Sequence, residues 1–264
     1  MTDSLKNTLT SLAEKYEVPS FCDADPSQFL RWYGEPASDG SNIADIEACS
    51  FIAAMLAFGS RKQFLPKIRY IMELADKTSG SISKWLISGD FITSFPSGEE
   101  HFYRFYSYDS IRNLFADLSV LLKEGGTGGI GEAFRLKWEE AKENENKKKY
   151  KLLLSDVISS SFPNARIVPK GIDSANKRIH MFLRWMVRRN SPVDLGLWTW
   201  YSPKDLLIPL DVHVMEEGIR LGALPEKARA TRKTAIALTE SLKEIWPDDP
   251  CKGDFALFGL GVDK

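Results

Sequence analysis

From Asp45 to Phe58 the chain is apolar on almost every side once the first turn has passed. Ile46, Cys49, Phe51, Ile52, Ala53, Met55 and Leu56 leave no polar stripe. A helix that is hydrophobic all round has to be enclosed. The segment therefore predicts a buried central helix, ended near Gly59. Helical spacing of apolar residues predicts further helices over 4–16, 61–75, 81–88, 107–123, 130–143, 152–162, 174–188, 211–221, 232–246 and 250–261. Pro203 after Ser202, and Pro250 after Asp249, suit first-turn prolines behind a capping residue. No convincing period-two alternation appears, so the predicted fold class is all-α. The cluster Gly125-Gly126-Thr127-Gly128-Gly129 lacks the Gly-Lys-Ser/Thr of a phosphate loop and reads as a hinge. The highly charged stretch 142–151 reads as a solvated helix end or linker. A single helical domain over 1–264, with lobes of roughly 1–145 and 146–264 that are open to interleaving, is expected.

The first residues, Met1-Thr2-Asp3-Ser4-Leu5-Lys6, lack the charged start and apolar run of a signal peptide. No apolar stretch is long enough to cross a bilayer, which argues against a membrane partner. Cys22, Cys49 and Cys251 are odd in number and unrelated in spacing. They fit reduced thiols in a cytoplasm, and argue against a disulfide framework or an iron–sulfur cluster, which needs four ligands. The expectation is a cytoplasmic protein with no cofactor. A net charge of −1 hides an asymmetry: residues 147–233 carry 17 Lys and Arg against 8 Asp and Glu, the remainder 18 against 28. That pattern could steer a polyanion to one lobe, although solvated helix faces produce the same count.

Asp211, in Ile208-Pro209-Leu210-Asp211-Val212-His213-Val214, stands before an apolar-periodic helix and suits the N-cap position. A carboxylate at a helix start is also where charge can be arranged around a reacting centre. Upstream, Ala175, Ile179, Phe182 and Met186 form one stripe of a helix. Lys177, Arg184 and Arg188 share another face, with His180 beside them. These cations read either as solvated charges or as a face that tracks phosphates, with one lysine as a nucleophile. His180 and His213 have no partner at ligand spacing, so no metal site is expected.

The order of a basic helix, Pro209-Leu210-Asp211-Val212-His213-Val214 and then Arg220-Leu221-Gly222 resembles the helix-hairpin-helix DNA glycosylases. Asp254-Phe255-Ala256-Leu257-Phe258-Gly259-Leu260-Gly261 is similar to their closing helix, and Met55 to Gln63 to their helix–loop–helix wedge. More narrowly, the whole chain resembles the uncharacterised DUF2400 family. That likeness is carried by the run from Asn176 to Arg188, by Asp194-Leu195-Gly196-Leu197-Trp198, by Ile208 to Val214 and by the Phe-Ala-Leu-Phe-Gly-Leu-Gly ending. Only Gly171 marks the hairpin, and the stretch Pro192 to Leu207 is inserted between Lys177 and Asp211. In both respects the chain looks most like the archaeal 8-oxoguanine glycosylases.

The resemblance implies a glycosylase-like fold of two helical lobes with a groove between them, and double-stranded DNA as partner. It implies a DNA repair glycosylase that flips out and removes a damaged purine, with or without abasic-site lyase activity. Asp211 is then the catalytic carboxylate and Lys177 the Schiff-base lysine. Arg61, Lys62 and Gln63 would fill the gap left by the flipped nucleotide. Arg178, Arg184 and Arg188 would contact DNA; Trp198, Trp200, His180 and His213 would line the base pocket. Two other readings stay open: a DNA-binding protein of the same fold without the chemistry, and a helical interaction protein in which Asp211 is only a cap.

Overall fold

The computed structural model describes residues 1–144 and 151–262. In chain order the helices are α1 (Asp3–Tyr16), α2 (Ile43–Leu56), α3 (Arg61–Ser79), α4 (Ile82–Ser88), α5 (Phe91–Ser94) and α6 (Tyr108–Gly125). They continue as α7 (Gly129–Glu143), α8 (Leu154–Ser160), α9 (Lys177–Val187), α10 (Val212–Arg220), α11 (Arg232–Leu242) and α12 (Lys252–Val262). The described chain is thus mostly helical, with one small hairpin, β1 (His101–Tyr103) and β2 (Tyr106–Ser107). No described helix is long and apolar enough to cross a membrane.

The chain divides into two compact units, Met1–Asp25 with Gly171–Lys264, and Pro26–Lys170. The units are interleaved in sequence, the first taking in both ends of the chain, and the later boundary falls at 170/171 where the expected one lies near 145.

In the unit Pro26–Lys170, α2 is the fully enclosed element: every residue from Ile46 to Leu56 is buried. Helices α3, α4 and α7 pack around it. Phe51 stacks on Phe162 at 4.6 Å, while Trp85, Phe91, Phe95 and Phe115 meet edge to face under α4 to α6. The expected glycine hinge is instead a docked turn. Gly129 has φ +66, and a Cβ there would stand 2.4 Å from the Glu47 carboxylate. Glu47 Oε2 accepts from the Gly131 N–H at 2.8 Å, and Glu47 is itself buried. Glycine is needed so that the turn can reach that carboxylate. The hairpin escaped periodicity because its strands, three and two residues long, are too short to show alternation. Of the charged stretch 142–151, α7 runs to Glu143, and 145–150 lie outside the described residues.

In the unit Met1–Asp25 with Gly171–Lys264, α12 packs against α1 and α10. A Cβ on Gly259 would sit 2.2 Å from the Tyr16 ring, so only glycine lets α1 approach this closely. Helix α12 begins at Lys252, two residues beyond Pro250, so that proline precedes the helix and is not in its first turn.

The centre of this unit is ionic. Arg184 and Arg188 are 3% and 1% exposed, and their guanidinium carbons lie 4.4 and 5.1 Å from the Phe255 ring centre. Arg184 donates to Asp194 at 3.2 Å and to Asp254. Arg188 donates to Asp194 at 2.6 Å, to both oxygens of Asp249 at 2.7 Å, and to Glu17 at 2.8 Å. The expectation that Arg184 and Arg188 contact DNA is therefore corrected: their donors are spent on internal carboxylates, and neither reaches solvent. Truncating one partner of such a network strands buried charge. Arg188→Ala should lower unfolding free energy by about 3–5 kcal/mol in a denaturant titration. A change within about 0.5 kcal/mol, as for an ordinary surface cation, would contradict the buried assignment.

Candidate active site

Lys177 and Asp211 are 34 positions apart in the chain and meet in the structure. Lys177 is the first residue of α9, and the loop before it is held in place backwards and sideways. Asn176 takes a left-handed conformation, φ 44 and ψ 40. Its side-chain amide donates to the Gly171 carbonyl at 3.1 Å, and its backbone N–H to Ser174 Oγ at 3.1 Å. Arg232 N–H donates to the Asp173 carbonyl at 2.9 Å, beside a bridge between Ser174 and Thr231, which ties the loop to the start of α11.

Asp211 is set by the segment ahead of it. Ile208 and Leu210 are buried in a core with Val214, Leu238 and Leu257, and the Ile208 N–H donates to Thr239 Oγ1 at 3.0 Å. That anchoring brings Asp211 to the N-cap of α10 in extended backbone, φ −112 and ψ −173. Its two oxygens divide the work. Oδ1 accepts from the Val214 N–H at 2.9 Å and caps the helix; Oδ2 receives the Lys177 ammonium at 2.9 Å. The side chains are 31% exposed for Lys177 and 13% for Asp211, so solvent and ligand can reach the amine. The amine also lies 5.7 Å from the centre of the Phe258 ring, and His213, exposed, meets that ring edge-on.

Asp254, in the first turn of α12, links this pair to the buried arginines. It pairs with Arg184, and its carboxyl also responds to the charges of Asp211 and Lys177. Burial pushes its pKa up to about 6, Arg184 pulls the other way, and Asp211 adds to the rise. Burial alone would lower the Arg184 guanidinium, but Asp194 and Asp254 together hold it above its ordinary value. An amine, a capping carboxylate and a buried carboxyl with a shifted pKa thus share one electrostatic neighbourhood, the pattern that proton-transfer sites use. Sequence pattern alone places Asp254 and Phe258 only within a closing helix. The signal that could have singled out Asp254 is a lone acid opening an otherwise apolar helix.

The other expected residues scatter. Arg178 is half-buried, next to Lys177 in the first turn of α9. His180 and Trp198 are 4% and 2% exposed. Trp198 packs edge-on against Phe182 at 5.3 Å and stacks on the half-buried Trp200, also at 5.3 Å. The base-pocket roles expected for His180 and Trp198 are corrected to core packing, since buried rings present no open face. Arg61, Lys62 and Gln63 belong to the other unit, in the first turn of α3, with Lys62 and Gln63 exposed. Among the described residues, no group of three His, Cys, Asp or Glu could hold a metal.

The family described as "Protein of unknown function (DUF2400)" matches residues 25–263, and the chain belongs to it. No curated protein and no solved structure matches the chain.

The raised Asp254 carboxyl has a definite sign in stability. Between its ordinary value of 3.8 and about 6, the folded state holds a proton that the unfolded chain has released. Stability therefore falls as pH rises through that window, and the loss is complete above it. Asp254→Asn keeps an acceptor for Arg184 and removes the titration. Urea unfolding from pH 4 to 7 should show a wild-type decline that the variant lacks; superimposable slopes would refute the assignment.

Proposed function

We propose that this DUF2400 member is a base-excision DNA glycosylase with abasic-site lyase activity, acting on a damaged purine, with Lys177 as nucleophile and Asp211 as its proton shuttle. The observation that carries the reading is the 2.9 Å contact between the Lys177 amine and the second oxygen of a capping carboxylate. The likeness to helix-hairpin-helix glycosylases, carried by the run Pro209 to Val214, by Arg220-Leu221-Gly222 and by the closing helix, gives the same roles to these two residues.

The chemistry balances on these two groups. The Lys177 ammonium passes one proton to Asp211, which frees the nitrogen lone pair to bond to the sugar C1′. The bond from C1′ to the base breaks, and the departing base takes up a second proton from the attacking nitrogen. The C1′–O4′ bond then opens as nitrogen and C1′ form the Schiff base, and O4′ receives the proton held on Asp211. Of the three ammonium protons, one stays on nitrogen, one leaves with the base and one ends on O4′. Once its proton has passed to O4′, the restored Asp211 carboxylate stabilises the positive charge of the protonated Schiff base. Because Oδ1 is pinned by the Val214 N–H, Oδ2 keeps its aim through these steps.

Borohydride reduction tests the reading, because it fixes a Schiff base as a stable adduct. On duplexes carrying 8-oxoguanine or an abasic site, the wild-type chain should become covalently attached and Lys177→Ala should not. Asp211→Asn should still cap α10, since Asn caps as well as Asp. Its adduct formation should nevertheless slow by about 10²–10⁴, the usual contribution of a positioned acid–base group. No adduct on any lesion, with DNA affinity unchanged in Lys177→Ala, would sink the lyase chemistry.

A further inference from the structure

The unit Pro26–Lys170 carries an open depression of about 840 Å³ between the first turns of α3 and the β1–β2 hairpin. Lys62, Lys67, His101 and Arg104 line it together with Gln63 and Phe105, and no lining residue is acidic. Among the described residues, no carboxylate ion pair involves Lys62, Lys67 or Arg104. Lys67 is turned inward over the Phe102 ring, 4.7 Å from its centre. The site therefore concentrates positive charge around aromatic surface, a combination that suits a ligand with both phosphates and flat rings.

The hairpin tip is built to hold one ring outward. Arg104 and Phe105 form the two-residue turn between the paired Tyr103 and Tyr106. Arg104 takes φ 52, a strained value for a residue with a side chain. The turn is braced from behind: the Tyr103 hydroxyl donates to the Phe58 carbonyl. Phe58 meets Tyr103 at 4.9 Å, with Phe105 and Tyr106 each at 5.8 Å. Arg104 lies so close over Gly59 that a Cβ there would stand 2.6 Å from its guanidinium. Phe105 nevertheless remains 66% exposed, the most exposed large apolar side chain among the described residues. An exposed phenyl ring braced by aromatics and ringed by cations is a stacking platform. Bases inside a duplex already have both faces covered, so such a ring engages an unpaired base without the unstacking cost that a duplex imposes.

We infer that this face binds an unpaired DNA strand, with a base stacked on Phe105 and the flanking phosphates on Lys62, Lys67 and Arg104. The inference shares with the proposed function only the nature of the partner, and it needs no chemistry at Lys177. It also moves the main contact from the start of α3 to the hairpin tip.

Fluorescence of 2-aminopurine in a single-stranded 12-mer, titrated with the full chain, tests it. Wild-type protein should quench the probe and bind the single strand more tightly than the matching duplex. Phe105→Ala should weaken binding roughly 5- to 150-fold, the effect of removing one base–aromatic stack. Phe105→Tyr and Phe105→Trp should retain it, which separates stacking from a folding defect. Lys67→Ala should make the salt slope shallower by about 0.7. Unchanged binding in Phe105→Ala, equal affinity for strand and duplex, or equally good competition by polyglutamate would each overturn the inference. Loss of borohydride adducts with strand binding intact would remove the lyase reading alone; adducts without strand binding would remove this one alone.

Discussion

Two buried guanidinium groups packed against Phe255 organise the unit that holds the candidate active site. Arg184 and Arg188 bring together Glu17 from the segment after α1, Asp194 and Asp249 from irregular segments, and Asp254 from α12. Elements far apart in sequence are thus referred to one face of α9. Such a network contributes less to net stability than hydrophobic residues of equal volume, but it tolerates no missing partner. Of the four carboxylates, Asp254 holds its proton to unusually high pH because it is buried, with the neighbouring Asp211 adding to the rise against the pull of Arg184 and Lys177. The charge balance of the core is thereby connected to the pair at its edge.

At that edge Asp211 does two jobs with two oxygens. A capping aspartate and one that faces an amine are usually competing readings of one residue, and here one oxygen caps the helix while the other meets Lys177. The cap restricts the carboxylate, and the restriction keeps the other oxygen aimed at Lys177. Both groups sit at helix starts whose approach is anchored in the core, so neither depends on a loose loop for its placement.

Much of this was legible in the chain. Helix α2 was readable because nothing polar interrupts it, and α9 and α10 because their apolar residues recur at helical spacing. The Lys177–Asp211 pairing came from the resemblance, since no local pattern connects residues 34 positions apart. The burial of Arg184 and Arg188 is invisible in the sequence for a physical reason. A stripe of cations on an amphipathic helix looks the same whether it faces water or buried acids, and their four acidic partners lie outside the helix. Trp198 and His180 were misplaced in the same way, because residue type does not report which way a ring faces. The glycine turn hid its partner too, as Glu47 is far from it in sequence and reads as an ordinary charged residue of a helix.

The central claim is that Lys177 is the atom-level point of attachment for the DNA sugar. Peptide mapping by mass spectrometry of the reduced adduct, after digestion of both protein and DNA, addresses it most directly. The account predicts the sugar remnant on the Lys177 side chain, in the peptide that opens α9. A remnant on the N-terminal amine or on any other lysine would contradict it.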